Sequence, residues 1–301
     1  MPPTKTFALV SLLFLNAHPP GMAGESGGII AAGAQPVKVA GNFAFTEGPA
    51  ADRDGNVFFT DQPNDRIVRY GTDGKFTDWL KPAGRSNGTY FDRDGNLLTC
   101  ADDKNELWSI APDKKVTILI KDFQSKLLNG PNDLWIAPDG NIYFSDPLYK
   151  RDYWRRDPAM QQPGEFVYFF DRKTGAVRAA ARDLEKPNGL IGTPDGKTLY
   201  VADIGAKKTY AYQIAKDGSL TGRKLFCEMG SDGMTLDREG NVYLTGKGVT
   251  VFNPAGRQIE HIDIPEPWTA NVTFGGKDKR VLFVTASKSI YTLAMRVSGA
   301  P

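Results

Sequence analysis

Six oxygen-bearing side chains recur at one offset in this 301-residue chain. Glu47, Asn87, Asn132, Asn188, Asp232 and Asn271 each stand seven residues before the acidic residue of a short turn motif: Asp54, Asp94, Asp139, Asp195, Glu239 and Asp278. Any one of them alone reads as a turn former, because Asn and Asp side chains bond their own backbone and accept sharp bends. Six in register ask for more. Carboxylate and carboxamide oxygens gathered at one axis repel, or stay unsatisfied, unless something answers them. A hard divalent cation is the partner such a set fits. Glu47 and Asp232 would balance its charge, and the asparagines would add neutral oxygens.

Other chemistries lack their residues. The chain has two histidines, His18 and His261, and no HExxH, GxSxG, P-loop or GxGxxG pattern. A Ser-His-Asp triad would have to use His261, which reads as a surface residue near a strand edge. A zinc site of the His/Cys type has too few ligands. The nucleophile expected is therefore water activated by the ion, or a carboxylate.

The elements that must position the six are short strands. "DRDGNVFFTD" from Asp52, "DRDGNLLTCAD" from Asp92, "APDGNIYFSD" from Ala137, "TPDGKTLYVAD" from Thr193 and "DREGNVYLTG" from Asp237 are variants of one hairpin. "GKDKRVLFVTA" from Gly276 is a degenerate sixth. The turn acids are 40, 45, 56, 44 and 39 residues apart. A self-similar, strand-rich unit of about 40 to 50 residues is the signature of a propeller blade. The first unit shows four strands, "PAADR", "VFFTD", "RIVRY" and "FTDWL", with Asp54-Gly55 and Asp73-Gly74 as hairpin turns. The spacing thus predicts an all-β, six-bladed propeller of four-stranded antiparallel blades over residues 36–298. The last unit runs out after three strands, and "PVKVAG" from Pro36 is expected to supply the fourth and close the ring. Residues just before the first strand of each blade would then surround one mouth of the central channel.

Each second strand runs back to the same mouth and often ends in Asp: Asp61, Asp102, Asp146 and Asp203. They are expected either to orient the ring and meet substrate or to cap turns. The long third spacing falls in a loop from Pro147 to Glu165 that carries Tyr149, Lys150, Arg151, Tyr153, Trp154, Arg155 and Arg156. Aromatic faces stack on sugar-like rings and Arg binds carboxylates or hydroxyls, so this loop is a candidate lid, with Tyr149, Arg151 and Trp154 as substrate contacts alongside Asn87, Asn132, Asp146 and Asn271. The alternative is a solvated basic loop.

Bulk properties narrow the partners. Thirty-seven basic and 35 acidic residues are interspersed, a net +2, which gives no reason to expect nucleic acid. Lys5, the apolar run Phe7 to Leu15 and the small residues near Ala23 predict a secretory signal over residues 1–23, hence an exported periplasmic or secreted protein. A nine-residue apolar stretch is too short to span a bilayer, and no longer run follows, so no membrane partner is expected after cleavage. Cys100 and Cys227 flank no CxxC spacing and are expected to be buried thiols, with a disulfide as the alternative.

"EGP" at Glu47, "PND" at Asn132, "YFSDPLY" from Tyr143, "KPNG" at Asn188, "SDGM" at Asp232 and "PEPWTANVTFGG" near the end come in order along the chain. In these pieces, over about Phe45 to Val297, the chain resembles the gluconolactonase family, known also through senescence marker protein (regucalcin) and the luciferin-regenerating enzymes. The resemblance implies a six-bladed propeller holding a divalent metal, most often Ca²⁺, with Zn²⁺, Mg²⁺ or Mn²⁺ as alternatives. It implies Glu47, Asn188 and Asp232 as metal ligands, Asn132 as a fourth ligand or substrate contact, and Asn87 as a residue lining the site. It also implies a small-molecule substrate, a sugar lactone or related ester, opened by water with the ion polarising the carbonyl and Asp232 as catalytic base or as ligand only. A phosphotriesterase of the diisopropyl fluorophosphatase and paraoxonase kind, or a non-catalytic calcium-stabilised propeller binding a glycan or protein, are the rival readings.

Overall fold

The computed structural model describes residue 1 and residues 28–301. The signal segment expected over residues 1–23 lies almost wholly outside these, and export with it.

Six four-stranded antiparallel sheets stand around one axis. Their inner strands are Thr46–Ala51, Ser86–Phe91, Leu134–Ile136, Pro187–Gly192, Met234–Leu236 and Thr269–Gly275, defining blades 1 to 6. In blades 1 to 5 each strand pairs with the next in sequence, outward from the axis. Blade 6 takes three strands from the C-terminal part of the chain and its outermost, Val37–Ala40, from the N-terminal side. That strand pairs antiparallel with Ser289–Ala294, matching Val37 to Thr292 and Lys38 to Tyr291. The fold class and the closing strand therefore agree with the sequence reading. The only helix among the described residues is a single 3₁₀ turn, Gln62–Asn64.

The burial pattern explains the sequence pattern. Second strands such as Val57–Asp61, Leu97–Ala101, Ile142–Asp146 and Val242–Gly246 are buried at every position. Each lies between two neighbouring blades, so both of its faces are covered and its sequence is almost continuously apolar. Outer strands such as Gln258–Ile262 are mostly exposed and mix polar with apolar residues. The core is a set of clusters between blades. Leu98, Cys100 and Leu107 of blade 2 meet Phe144, Tyr168 and Phe170 of blade 3, and Val57, Phe59 and Val68 of blade 1 meet Phe283 and Ile290 of blade 6. Full burial of side chains of this size contributes about 1.5–3 kcal/mol each. Cys100 and Cys227 are both buried free thiols.

The inner strands are not regular. Pairing with the second strand slips between Glu47 and Ala50, between Ser86 and Thr89, and between Pro187 and Leu190. In blade 6 it slips between Thr269 and Asn271. These bulges re-aim the side chains at the mouth of the channel. Glycine allows neighbouring bulges to touch. A Cβ on Gly48 would come within 2.0 Å of the Asn87 carbonyl oxygen, and one on Gly233 within 2.0 Å of the Asn271 side chain. The glycine that follows one ring residue thus gives room to the next blade's ring residue. Beyond the mouth, a cavity of about 500 Å³ runs down the axis from Asp133 and Asn271 past Trp135 and Met234 to Arg93 and Ala300.

Candidate metal and substrate site

All six ring residues converge at one mouth. Glu47, Asn87, Asn188 and Asn271 lie on inner strands, and Asn132 and Asp232 two residues before theirs. Five are at least nine-tenths buried, and Asp232 keeps partial exposure. Hydroxyls on the second strands hold the bulged backbone: Thr60 Oγ1 donates to the Asn87 carbonyl at 3.1 Å, Thr99 Oγ1 to Gly88 at 3.2 Å and Thr285 Oγ1 to Asn271 at 3.1 Å. Thr245 Oγ1 donates to Ala270 at 2.8 Å. The repeat carries this signal in its "FFTD", "LLTC", "YLTG" and "FVTA" endings, where the sequence reading attended only to the acids.

The ring is only partly satisfied. Asn188 Nδ2 donates to Asp232 Oδ1 at 2.8 Å and to the Tyr149 hydroxyl at 3.1 Å. Asn271 Nδ2 donates to Glu47 Oε2 at 3.3 Å, and the Gly48 amide to the same oxygen at 2.8 Å. Among the described residues, Asn87 Oδ1 and Asn188 Oδ1 are buried with no partner. Native structures leave few such oxygens, and each unmade bond costs about 1–3 kcal/mol. Burial raises the Glu47 carboxyl well above its usual range, and the charge of Asp232 adds to the effect. Burial likewise pushes Asp232 up to about 6, against donors from Trp268 and Asn188. One buried and one partly exposed carboxylate, with two unanswered carboxamide oxygens, are a donor set that fits a hard divalent cation. Among the described residues no three His, Cys, Asp or Glu side chains gather as a metal-binding group. Any ion held here would rest on this mixture with asparagine.

A third carboxylate was not anticipated. Asp133 follows the ring residue Asn132 and lies in neither set of acids expected at the mouth. Its side chain is buried beside Gly88 at the floor of the ring, and burial pushes it up to about 8 despite the Leu134 amide at 2.9 Å. Asn129 does have a scaffold role, its Nδ2 donating to the Asp146 and Gly164 carbonyls at 3.0 Å each.

The second-strand acids divide. Asp61 accepts the amides of Ala44 and Phe45, Asp146 those of Asn129 and Gly130, and Asp203 those of Glu185 and Lys186. Each caps the segment leading into its own blade's inner strand. Asp146 is fully buried with both oxygens so occupied, which corrects its assignment as a substrate contact. Asp102 is different. Its Oδ2 accepts from the Tyr153 hydroxyl, from Arg151 Nε at 3.3 Å and from Gln62 Nε2 at 3.4 Å. Trp154 Nε1 donates to the Asp102 carbonyl at 3.1 Å, and Arg156 covers the Trp154 ring at 3.4 Å. The Pro147–Glu165 loop is thus latched to blade 2. Trp154 belongs to the latch, with its polar edge turned to backbone rather than to the mouth. Tyr149 reaches the ring through Asn188, and Arg151 and Lys186 lie 5.4 Å and 4.7 Å from its ring centre.

Trp268, quoted above only within a family motif, is the second unforeseen member. Its Nε1 donates to Asp232 Oδ2 at 2.6 Å.

With this geometry established, comparison with known proteins is specific. A gluconolactonase of Zymomonas mobilis is 26% identical over 293 residues, covering 87% of this chain and 81% of the relative. The diisopropyl-fluorophosphatase of Loligo vulgaris is 28% identical over 279 residues, covering 82% and 87%. The solved gluconolactonase of Xanthomonas campestris superposes with a TM-score of 0.82 at 27% identity, covering 89% and 91%. The sequence pattern of the SMP-30/Gluconolactonase/LRE-like region matches residues 45–288, from the approach to the first ring residue to the last blade, and the chain belongs to that family.

Proposed function

We propose that this protein is a metal-dependent lactonase acting on a sugar lactone or related small ester. The observation that carries the reading is the convergence of Glu47 and Asp232 with the unpartnered oxygens of Asn87 and Asn188 at the mouth. The gluconolactonases of Zymomonas mobilis and Xanthomonas campestris support the substrate class.

Glu47, Asn188 and Asp232 would hold the ion, with Asn132 as a fourth ligand or a substrate contact and Ca²⁺ as the cation that best suits all-oxygen ligands. When bound, such a cation polarises an ester carbonyl and offsets the charge that develops on its oxygen. The chain's own residues supply the rest. Asp232, which accepts from Asn188 and Trp268, would take a proton from the attacking water. The new carbon–oxygen bond forms first, the tetrahedral adduct then collapses with cleavage of the ring ester bond, and the proton taken from water passes to the departing ring oxygen, giving the hydroxy acid. Tyr149 and Arg151, carried on the latched loop, orient the substrate, Asn132 and Asn271 line its floor, and Asn87, lining the site, would offer its unpartnered oxygen to the ion.

The test is acid release from a panel of aldonolactones by metal-stripped protein, with and without Ca²⁺, beside Asp232→Ala. Ca²⁺ restores turnover to the wild type, and the variant loses about 10²–10⁴-fold in kcat/KM. An undiminished variant rejects the role of Asp232. The similarity to diisopropyl-fluorophosphatase favours one second reading, phosphotriester hydrolysis, and turnover of a phosphotriester but of no lactone selects it.

A further inference from the structure

We propose that Trp268 is a positioning residue for Asp232: its indole N–H holds one carboxylate oxygen and thereby fixes which oxygen Asp232 turns toward the ring. The inference rests on the reading of the mouth as a metal-dependent site, but its test does not require turnover.

The contact is short for an N–H donor, 2.6 Å from Nε1 to Oδ2, as expected when the acceptor is charged. The other oxygen, Oδ1, receives Asn188 Nδ2 at 2.8 Å. A carboxylate of blade 5 is therefore gripped by a carboxamide of blade 4 on one side and an indole entering blade 6 on the other. Each donor has its own oxygen, so rotation about the Cβ–Cγ bond is blocked from both ends. Without Trp268 one end would be free, and Asp232 could present either oxygen or both.

Trp268 is itself held. It precedes the blade 6 inner strand, its backbone amide donates to Ser287 Oγ at 3.2 Å, and Ser287 Oγ donates to its carbonyl at 3.0 Å. Its position is also hard to account for by packing. The residue is 37% exposed, among the few large apolar side chains of the described residues that are, whereas tryptophans that serve a core bury their rings. An indole left at the surface with its one polar atom on a functional carboxylate is placed for that atom. Groups that orient metal-binding side chains from behind typically contribute 10–100-fold in metal affinity or activity.

The experiment compares wild type with Trp268→Phe, which keeps an aromatic ring and deletes the donor. Three quantities are read: Ca²⁺ affinity of the metal-stripped protein by calorimetry, thermal unfolding of the metal-stripped protein, and kcat and KM on any lactone turned over. The expected result is Ca²⁺ affinity weaker by about 10–100-fold, an unchanged unfolding temperature without metal, and a loss in kcat larger than any rise in KM. Equal Ca²⁺ affinity in the two proteins overturns the proposal. So does a parallel loss of affinity and metal-free stability, which would mark Trp268 as a packing residue. If the wild type binds Ca²⁺ but opens no lactone, the reaction assigned above fails while the affinity comparison still decides the role of Trp268. A wild type that binds no Ca²⁺ overturns both.

Discussion

The two ends of each inner hairpin use the same residue types to opposite ends. At the turn face, Asp and Asn satisfy each other. Asp52 accepts the Asn56 side chain at 2.7 Å and the amides of Asp54 and Asn56. Asp237 repeats the arrangement with Asn241 at 2.8 Å and adds the Tyr243 hydroxyl at 2.9 Å. At the mouth, Asn87 Oδ1 and Asn188 Oδ1 are buried and unanswered, and Glu47 and Asp232 are raised by burial. Residue identity does not separate a turn former from a ligand. What separates them is whether the chain itself completes the hydrogen bonds: at the turn face it does so for Asp52 and Asp237, and at the mouth it leaves the Asn87 and Asn188 oxygens open.

This contrast can be broken by exchanging the consequences. Asp237→Ala, at the turn face, leaves Asn241 and Tyr243 without their acceptor and is expected to lower unfolding free energy by about 1–3 kcal/mol with no change in Ca²⁺ affinity. Asn87→Leu, at the mouth, is expected to do the reverse: Ca²⁺ affinity falls at least about tenfold, while the metal-stripped protein unfolds no earlier because an unsatisfied oxygen has gone. Denaturant unfolding and calorimetry on both variants check the pair. Destabilisation by Asn87→Leu without metal would mean that its oxygen already has a partner, and the contrast would collapse.

The pH dependence of the metal-stripped protein sharpens the same point. A raised carboxyl pKa means that the folded state holds a proton that the unfolded chain has released. The stability that these carboxyls contribute is therefore greatest on the acid side. It declines as pH rises from about 4, where the unfolded carboxyls ionise, through about 6 for Asp232 and about 8 for Asp133. Bound Ca²⁺ opposes the decline by answering the charge. Denaturation midpoints between pH 4 and pH 8, with chelator and with Ca²⁺, provide the readout, and a midpoint that climbs with pH under chelator contradicts the assignment.

A smaller effect concerns the loop. Asp102→Asn weakens the acceptor shared by Tyr153 and Arg151, and so loosens the segment that carries Tyr149. KM on a turned-over lactone is expected to rise about two- to tenfold, with kcat little changed. An unaltered KM would mean that the latch is dispensable for substrate binding.

Much of this molecule is written in its repeat. The blade count, the closing strand and all six ring positions follow from an offset and a period, because a propeller turns equal spacing along the chain into equal rotation about an axis. The contacts that escaped are those made between blades. Trp268 meets Asp232 across 36 residues, Asp102 meets Arg151 across 49, and nothing local in either segment encodes its partner. Asp133 escaped for a related reason. It stands where blades 1, 2, 4 and 5 carry glycine after the ring residue and blade 6 carries Val272, and one of two departures from a pattern is easily read as noise. Asp146 was misjudged because its sequence position matches that of Asp102, and only the third dimension shows that one caps a turn while the other grips a loop.

The pairing of Val37–Ala40 with Ser289–Ala294 also governs the order of assembly. Five blades are built from contiguous segments and can pair as their residues become available. The sixth joins two segments some 250 positions apart, with the whole ring between them. Contacts of such separation form late, because the loop they close must first lose its freedom. Until then the outer edge of Ser289–Ala294 presents an unpaired row of amides and carbonyls, a template for another chain. The strand that seals the ring is thus also the step at which an incomplete molecule is most exposed to pairing with the wrong partner.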